Sequence, residues 1–396
     1  GENEATVTNA LGKDTTYFFE KILGSKRLTR VEGHPTTNCL ATTTTRSYDA
    51  RGSVTAEVDK NGNITRYSHT HSGLSDDQYS YHVGLVSSRT EAFGTVEERT
   101  TAIQWHPDFR LPIAIEEPGR RIELTYDSYA RLTSRTEIAL DTGSERIWTN
   151  TYNETGLLTQ INGPRTDVQD TTMFAYNYDG ELNSITNALG HTTTITAHDD
   201  NGLPSEVVDP NGLVTQLEYD ARLRLIGQRT ISVEGTATTS IGYDAKGNVS
   251  AVTLPDGQTL GYDYDLADRL ISITNDLGET ITFEVDADGN RTTEITHDAG
   301  GDIVRVQERA FDELSRLITS LGAVSQTTRF SYDKNDNLEF IEDALGRQTT
   351  LSFDALDRLI KITDALQGES TFSYDTSNNL TSVTDAEGVM TTFEYD

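Results

Sequence analysis

An aspartate followed four positions later by an arginine recurs along this chain, at Asp127 and Arg131, Asp220 and Arg224, Asp265 and Arg269, Asp312 and Arg316, and Asp354 and Arg358. A carboxylate and a guanidinium at this separation can form a charge-assisted pair, and the carboxylate can also accept the amides of a turn between them. Two functions fit such a row: a series of ligand sites, or a structural ladder clamping one turn after another. Constant spacing favours the ladder, because stacking needs the same joint in every unit whereas a site need occur only once.

The other chemistry-bearing residues are less ordered. Acidic pairs stand at Asp76-Asp77, Glu97-Glu98, Glu116-Glu117 and Asp199-Asp200, but acid–base hydrolysis needs two carboxyls at a set separation in a cleft, and nothing separates any pair from 63 acidic residues. Two segments, Asp286-Ala-Asp288-Gly289-Asn290 and Asp59-Lys-Asn61-Gly62-Asn63, loosely match an acidic calcium loop. The first has Arg291 where that loop needs Gly and His297 where it needs Glu, so turn formation accounts for both without metal. His69 and His71 share a strand face with His82 nearby, yet no third fixed ligand completes a zinc set. Cys39 has no neighbouring His, and no nucleophile elbow, P-loop or dinucleotide fingerprint is present. Trp105 and Trp148 could stack on a sugar, but packing within the repeat explains them better. The reading is a chain without catalytic, cofactor or metal residues, and not an enzyme.

What positions these residues is a repeat. An aromatic or apolar residue followed by Asp stands at Tyr219, Tyr243, Tyr264, Val285, Phe311, Tyr332, Phe353, Tyr374 and Tyr395, in steps of 24, 21, 21, 26, 21, 21, 21 and 21. A unit of this size belongs to stacked architectures. Within one unit, residues 358–363 read as a strand, 364–368 as a turn and 369–374 as the returning strand. Ile360 and Ile362 share one parity and Phe372 and Tyr374 another, the alternation of half-buried strands. The unit at 269–285 repeats the scheme with Ile271, Ile273, Ile281, Phe283 and Val285. The longer steps read as insertions into turns, such as the one holding Asp298, Gly300 and Gly301.

The first half carries the repeat in looser form. Trp105-His106 occupies a junction, since Tyr126 follows 21 residues later, and residues 8–18 resemble residues 186–195. Residues 70–79 read as an insertion and 142–145 as a lengthened turn. With no linker in view, residues 1–396 are expected to form one continuous domain, looser over 1–175 and regular over 176–396. Hairpin turns are expected near Gly190, Gly212, Gly257, Gly278, Gly346 and Gly388. About a dozen hairpins at ~4.8 Å per strand give a ribbon of about 115 Å across its strands, which must coil rather than stay flat.

Composition agrees. The apolar fraction of 35% is too low for a thick core, while 17 Tyr and 12 Phe at regular spacing argue against disorder. A formal net charge of −31 excludes nucleic-acid binding by a basic surface, and no apolar run is long enough to span a membrane as a helix. One cysteine permits no intrachain disulfide. No leader segment opens the chain, and the Tyr395-Asp396 end falls on a junction, so it reads as a fragment of something larger.

The pattern of an aromatic-Asp-x-x-x-Arg-Leu, then Ile-Thr-Asp-x-x-x-Gly, then Thr-x-Phe-x-Tyr-Asp, clear over 353–374, resembles the RHS/YD-repeat family. The resemblance covers nearly the whole chain and is strongest from about Tyr176. It implies an all-β fold of antiparallel hairpins stacked into a long coiled sheet, forming part of a hollow shell. Members include bacterial polymorphic toxins, cocoon subunits of insecticidal toxin complexes and animal teneurins, and in toxins the shell encloses a C-terminal toxic domain. Asp209-Pro210-Asn211-Gly212-Leu213 matches the letters of the signature that follows the repeats in family toxins, but it sits at a mid-repeat turn with more repeats after it. The resemblance thus implies a shell-wall scaffold of a secreted or cell-surface bacterial protein, without the plug, protease or effector. Expected partners are the rest of its own polypeptide or a delivery complex, with no cofactor. The alternative is an adhesion module binding a cell-surface glycan or protein on its outer face.

Overall fold

The structure is a computed structural model and describes residues 3–70, 84–322 and 326–395. His71, His82, Asp76, Asp77, most of the expected insertion at 70–79 and the terminal Asp396 lie outside the described residues. Among the described residues there are 34 strands and no helix, from Glu4–Thr8 to Met390–Thr392. Each strand pairs antiparallel with the next in sequence, giving one unbroken meander. At ~4.8 Å per strand the sheet measures about 160 Å across, longer than the dozen hairpins expected, because the first half is pleated as regularly as the second.

Consecutive turns fall on opposite edges of this ribbon. One edge, here the junction edge, carries the aromatic-Asp turns, and the other carries the mid-repeat turns. Both use the same five-residue loop. In residues 209–213 the Asp209 amide donates to the Leu213 carbonyl and the Gly212 amide to the Asp209 carbonyl; residues 220–224 repeat both bonds with Leu223 in place of Gly212. The fourth position is left-handed, with φ +84° at Gly212 and +61° at Leu223. This is why Gly is frequent there and why each expected glycine turn is present.

The edges differ in register. Every hairpin closing at the junction edge contains a one-residue slip, whereas among the described hairpins of the other edge only the one between Arg291–His297 and Ile303–Phe311 does. In the strand Leu359–Thr363 the extra residue is Ile360: Phe353 pairs with Leu359 and Ser352 with Lys361. The expected shared parity of Ile360 and Ile362 therefore fails. Leu359 and Ile362 stand opposite Phe353 and Leu351, and Ile360 is exposed. Ile271 is displaced in the same way between Leu270 and Ser272. The turn insertions expected in the 24- and 26-residue steps also fail. Residues 298–302 form the ordinary five-residue loop, and the extra residues lengthen the strand Ile303–Phe311; the 24-residue step likewise lengthens Leu225–Ser232 and Gly235–Tyr243.

Bulges repeated along one edge add twist and bend the sheet in one sense. The ribbon curls until the mid-repeat turn at 59–63 meets the junction turn at 333–337, 23 strands further along. That arc is about 110 Å, a ring about 35 Å across. The accessible surface is 24049 Å², against about 15,000 Å² for a compact globule of this mass, as befits a wall one sheet thick. Its fully covered apolar side chains are few, Ala114 and Phe283 among them.

Candidate functional site

All five Asp–Arg pairs close. Oδ1 of Asp127, Asp220, Asp265, Asp312 and Asp354 accepts the amides two and four residues on, at 2.8–3.1 Å. Oδ2 accepts from Nε of Arg131, Arg224, Arg269, Arg316 and Arg358 at 2.6–2.8 Å. Each arginine also reaches the following unit. Arg269, Arg316 and Arg358 donate to the carbonyls of Asp286, Asp333 and Asp375, and the guanidiniums of Arg131, Arg224, Arg316 and Arg358 lie 4.1–4.8 Å from the rings of Tyr152, Tyr243, Tyr332 and Tyr374. The Arg224 guanidinium beside Asp220 holds that carboxyl at about 2. A sixth pair, Asp343 with Arg347, is made on the mid-repeat edge and lay outside the junction pattern read from sequence.

The junction aromatic has its own bond. The hydroxyls of Tyr126, Tyr152, Tyr219, Tyr243, Tyr264, Tyr332 and Tyr374 donate to the first carbonyl of the preceding strand, at 2.8–3.0 Å. Burial pushes the phenols of Tyr126, Tyr264 and Tyr332 up. Trp105 takes the junction as expected and makes the same bond with its ring nitrogen, to the Val86 carbonyl at 2.8 Å. Trp148 lies under the Arg135 guanidinium at 4.7 Å. Both calcium-like loops are tied to themselves: Asp286 and Asp59 accept from their own turn amides and from Asn290 and Asn63. No group of three metal-ligating side chains occurs among the described residues. Asp209 to Leu213 is an ordinary mid-repeat turn.

The place where chain segments far apart meet is the seam made by the full turn of the ribbon, and sequence reasoning missed it. Asn9 donates to the Glu313 carbonyl at 2.6 Å, and Thr36 to its carboxylate at 2.9 Å. Asn61 bonds Asn335 and Asp333, Lys60 pairs with Asp336, and the Ser377 hydroxyl donates to the Pro118 carbonyl. Asp312, which is 1% exposed, lies buried here, in the turn at 312–316 that bonds the seam through Glu313. Cys39 is buried beside it, its Sγ 3.4 Å from Glu313 and 3.9 Å from Arg316. Burial pushes the thiol up, away from the thiolate a nucleophile needs. A cleft of about 450 Å³ beside it is lined by Leu314, Arg316, Tyr332, Asp336 and Phe340. The seam is thus a row of interlocked turns.

Comparison with known proteins gives the same picture. The model of the teneurin YD-shell matches residues 96–307, more than half of the chain, and that of the RHS repeat matches 374–396. No curated protein matches. Among solved structures, the crystal structure of TcdB2-TccC3-TEV superposes with a TM-score of 0.70 at 15% identity, over 94% of this chain and 22% of that one. The Photorhabdus luminescens Tc holotoxin pore with a mutated TccC3 gives the same four values. TcdB2-TccC3 without its hypervariable C-terminal region gives a TM-score of 0.68 at 15% identity, over 96% and 24%. The chain spans about a quarter or less of the chains it resembles, and at this identity the likeness concerns the fold. A ribbon of bulged hairpins joined by tyrosine and arginine rungs, matched over more than half its length by the shell model, places this chain in the YD-shell family.

Proposed function

We propose that this chain is a section of shell wall in a larger secreted or surface-exposed protein, enclosing a segment of its own polypeptide or of a delivery complex. The observation that carries this reading is the seam. A sheet that returns to its own edge after 23 strands and bonds to it defines an inside and an outside, which neither an open adhesion surface nor a catalytic cleft requires. The Asp–Arg and tyrosine rungs then act as joints of the wall, and residues 1–396 as one continuous unit of it. The adhesion reading needs an exposed aromatic groove. Tyr129 and Tyr178 instead stand singly at the tips of separate turns.

The test is limited proteolysis of the natural polypeptide that carries this chain. Segments held inside the wall resist a protease under native conditions and are cut once the wall is unfolded by denaturant. Cleavage of every remaining segment at the rate of an exposed loop would refute enclosure.

A further inference from the structure

We propose that Asn61-Gly62 is a self-modifying site built into the seam: Asn61 loses ammonia when the seam opens, and the product keeps the seam from closing again. The chain holds four Asn-Gly pairs, at 61–62, 162–163, 201–202 and 211–212. Glycine lacks the Cβ that keeps a backbone nitrogen away from the preceding side chain, so in this pair an asparagine most readily closes on its own backbone. Three of the pairs stand at the third and fourth positions of the five-residue loop. A methyl group at Gly163 or Gly202 would run into the carboxylate of Asp170 or Glu181, whereas Gly62 and Gly212 have open space around them for water and base. The turns at 59–63 and 209–213 are thus one reactive turn in two settings.

The settings differ in what holds the asparagine. The Asn211 side-chain amide makes no hydrogen bond among the described residues, where only its backbone amide is tied, to Asp209. Asn61 donates from Nδ2 to Asp333 at 3.0 Å and from its backbone amide to Asn335 at 3.1 Å, both across the seam. In the reaction the Gly62 nitrogen leaves the Asp59 carbonyl, gives its proton to solvent base and attacks Cγ of Asn61; the Cγ–Nδ2 bond breaks and ammonia leaves. Water then opens the five-membered ring at either carbonyl, giving aspartate or its isomer in which the chain runs through the side chain. Ring closure expels the nitrogen that Asp333 holds, so the closed seam protects the site.

The product fits badly. Asn61 and Asn335 stand among Asp59, Asp333, Asp336 and Asp357, with Lys60 and Arg316 as the cations, and a carboxylate in place of the Asn61 amide faces that of Asp333. The isomer also adds a carbon to the backbone of a loop whose bonds fit five residues. An opening that lasts long enough to react is therefore one-way. The inference rests on the seam and not on enclosure.

The experiment is peptide mapping by mass spectrometry of the 396-residue chain held in mildly alkaline buffer. Asn61 loses ammonia at least about tenfold more slowly than Asn211, as two hydrogen bonds across the seam require. Asp333→Asn with Asn335→Ala removes both acceptors and leaves residues 59–63 untouched. The turn survives, because Asn187 and Asn275 fill its first position elsewhere. In this variant the Asn61 rate rises to that of Asn211, and Asn335→Ala alone falls between. Asn61→Asp stands for the product and opens the seam. Cys39, buried beside Glu313, is then alkylated at least about fivefold faster than in the parent, with the circular dichroism spectrum unchanged. Equal rates at Asn61 and Asn211 in the parent, a folded seam variant in which Asn61 stays slow, or Asn61→Asp with Cys39 as protected as in the parent overturns the inference.

Discussion

The Asp–Arg rungs differ in depth, and this makes one substitution decisive. In Arg316→Ala the Asp312 carboxylate, whose side chain is 0% exposed, loses both donors on Oδ2 and keeps only the amides of Leu314 and Arg316. Breaking a buried pair from one side costs about 3–5 kcal/mol, because the stranded charge stays desolvated. The two surviving amides place the expected loss at the lower end, about 3 kcal/mol. The lost bonds to Asp333 and Asp336 add to it, since they tie Arg316 to the next turn. Arg269→Ala removes the same rung where its guanidinium faces water, and its cost is clearly smaller. Urea denaturation followed by circular dichroism measures both. Arg316→Lys keeps the charge without the planar fork and falls between. In the double variant with Asp312→Asn, most of the loss is recovered, because no charge is left stranded. If Arg316→Ala and Arg269→Ala cost the same, burial at the seam does not govern the rungs and the argument fails.

Acid should loosen the ladder in a defined window. Asp220 is held at about 2 by Arg224, below its ordinary value of 3.8, so its contribution is present above about pH 4 and lost as pH falls toward 2; melting curves over that range should show the fall, and Asp220→Asn should flatten it. Tyr243→Phe removes one hydroxyl rung to Leu225 and should cost about 1 kcal/mol in urea titration, with no change in the circular dichroism spectrum. Gly212→Ala forces a side chain into a left-handed turn position with open space around it, and should cost about 1 kcal/mol from backbone strain alone.

The strands were legible because their period is local: junction residues every 21 positions, turn glycines between, and apolar residues at alternate positions. The rungs were legible for the same reason, since Asp and Arg four apart meet across their own turn. Parity was misread at Ile360 and Ile271 because a bulge inserts one residue without altering the composition of the strand. The long steps were misassigned because length can be taken up by two lengthened strands as readily as by a loop. Asp343 and Arg347 fall outside the 21-residue series of junctions, although the same turn serves both edges. The seam left no local mark. Asn9 and Glu313, or Lys60 and Asp336, are brought together only by twist accumulated over two dozen strands, and no single unit records that sum.

That distance has a consequence in time. Asn9 and its acceptor at Glu313 are separated by 304 residues, so their bond cannot form until the later residue has been made. At ribosomal rates of about 5–20 residues per second, this leaves an interval of about 15–60 s. Through it the first circuit must hold its curvature by neighbour-to-neighbour pairing alone, with its mid-repeat edge open to water. The bulges and rungs are therefore needed before there is a seam to protect, and the nascent ribbon has a period in which another chain can reach that edge first.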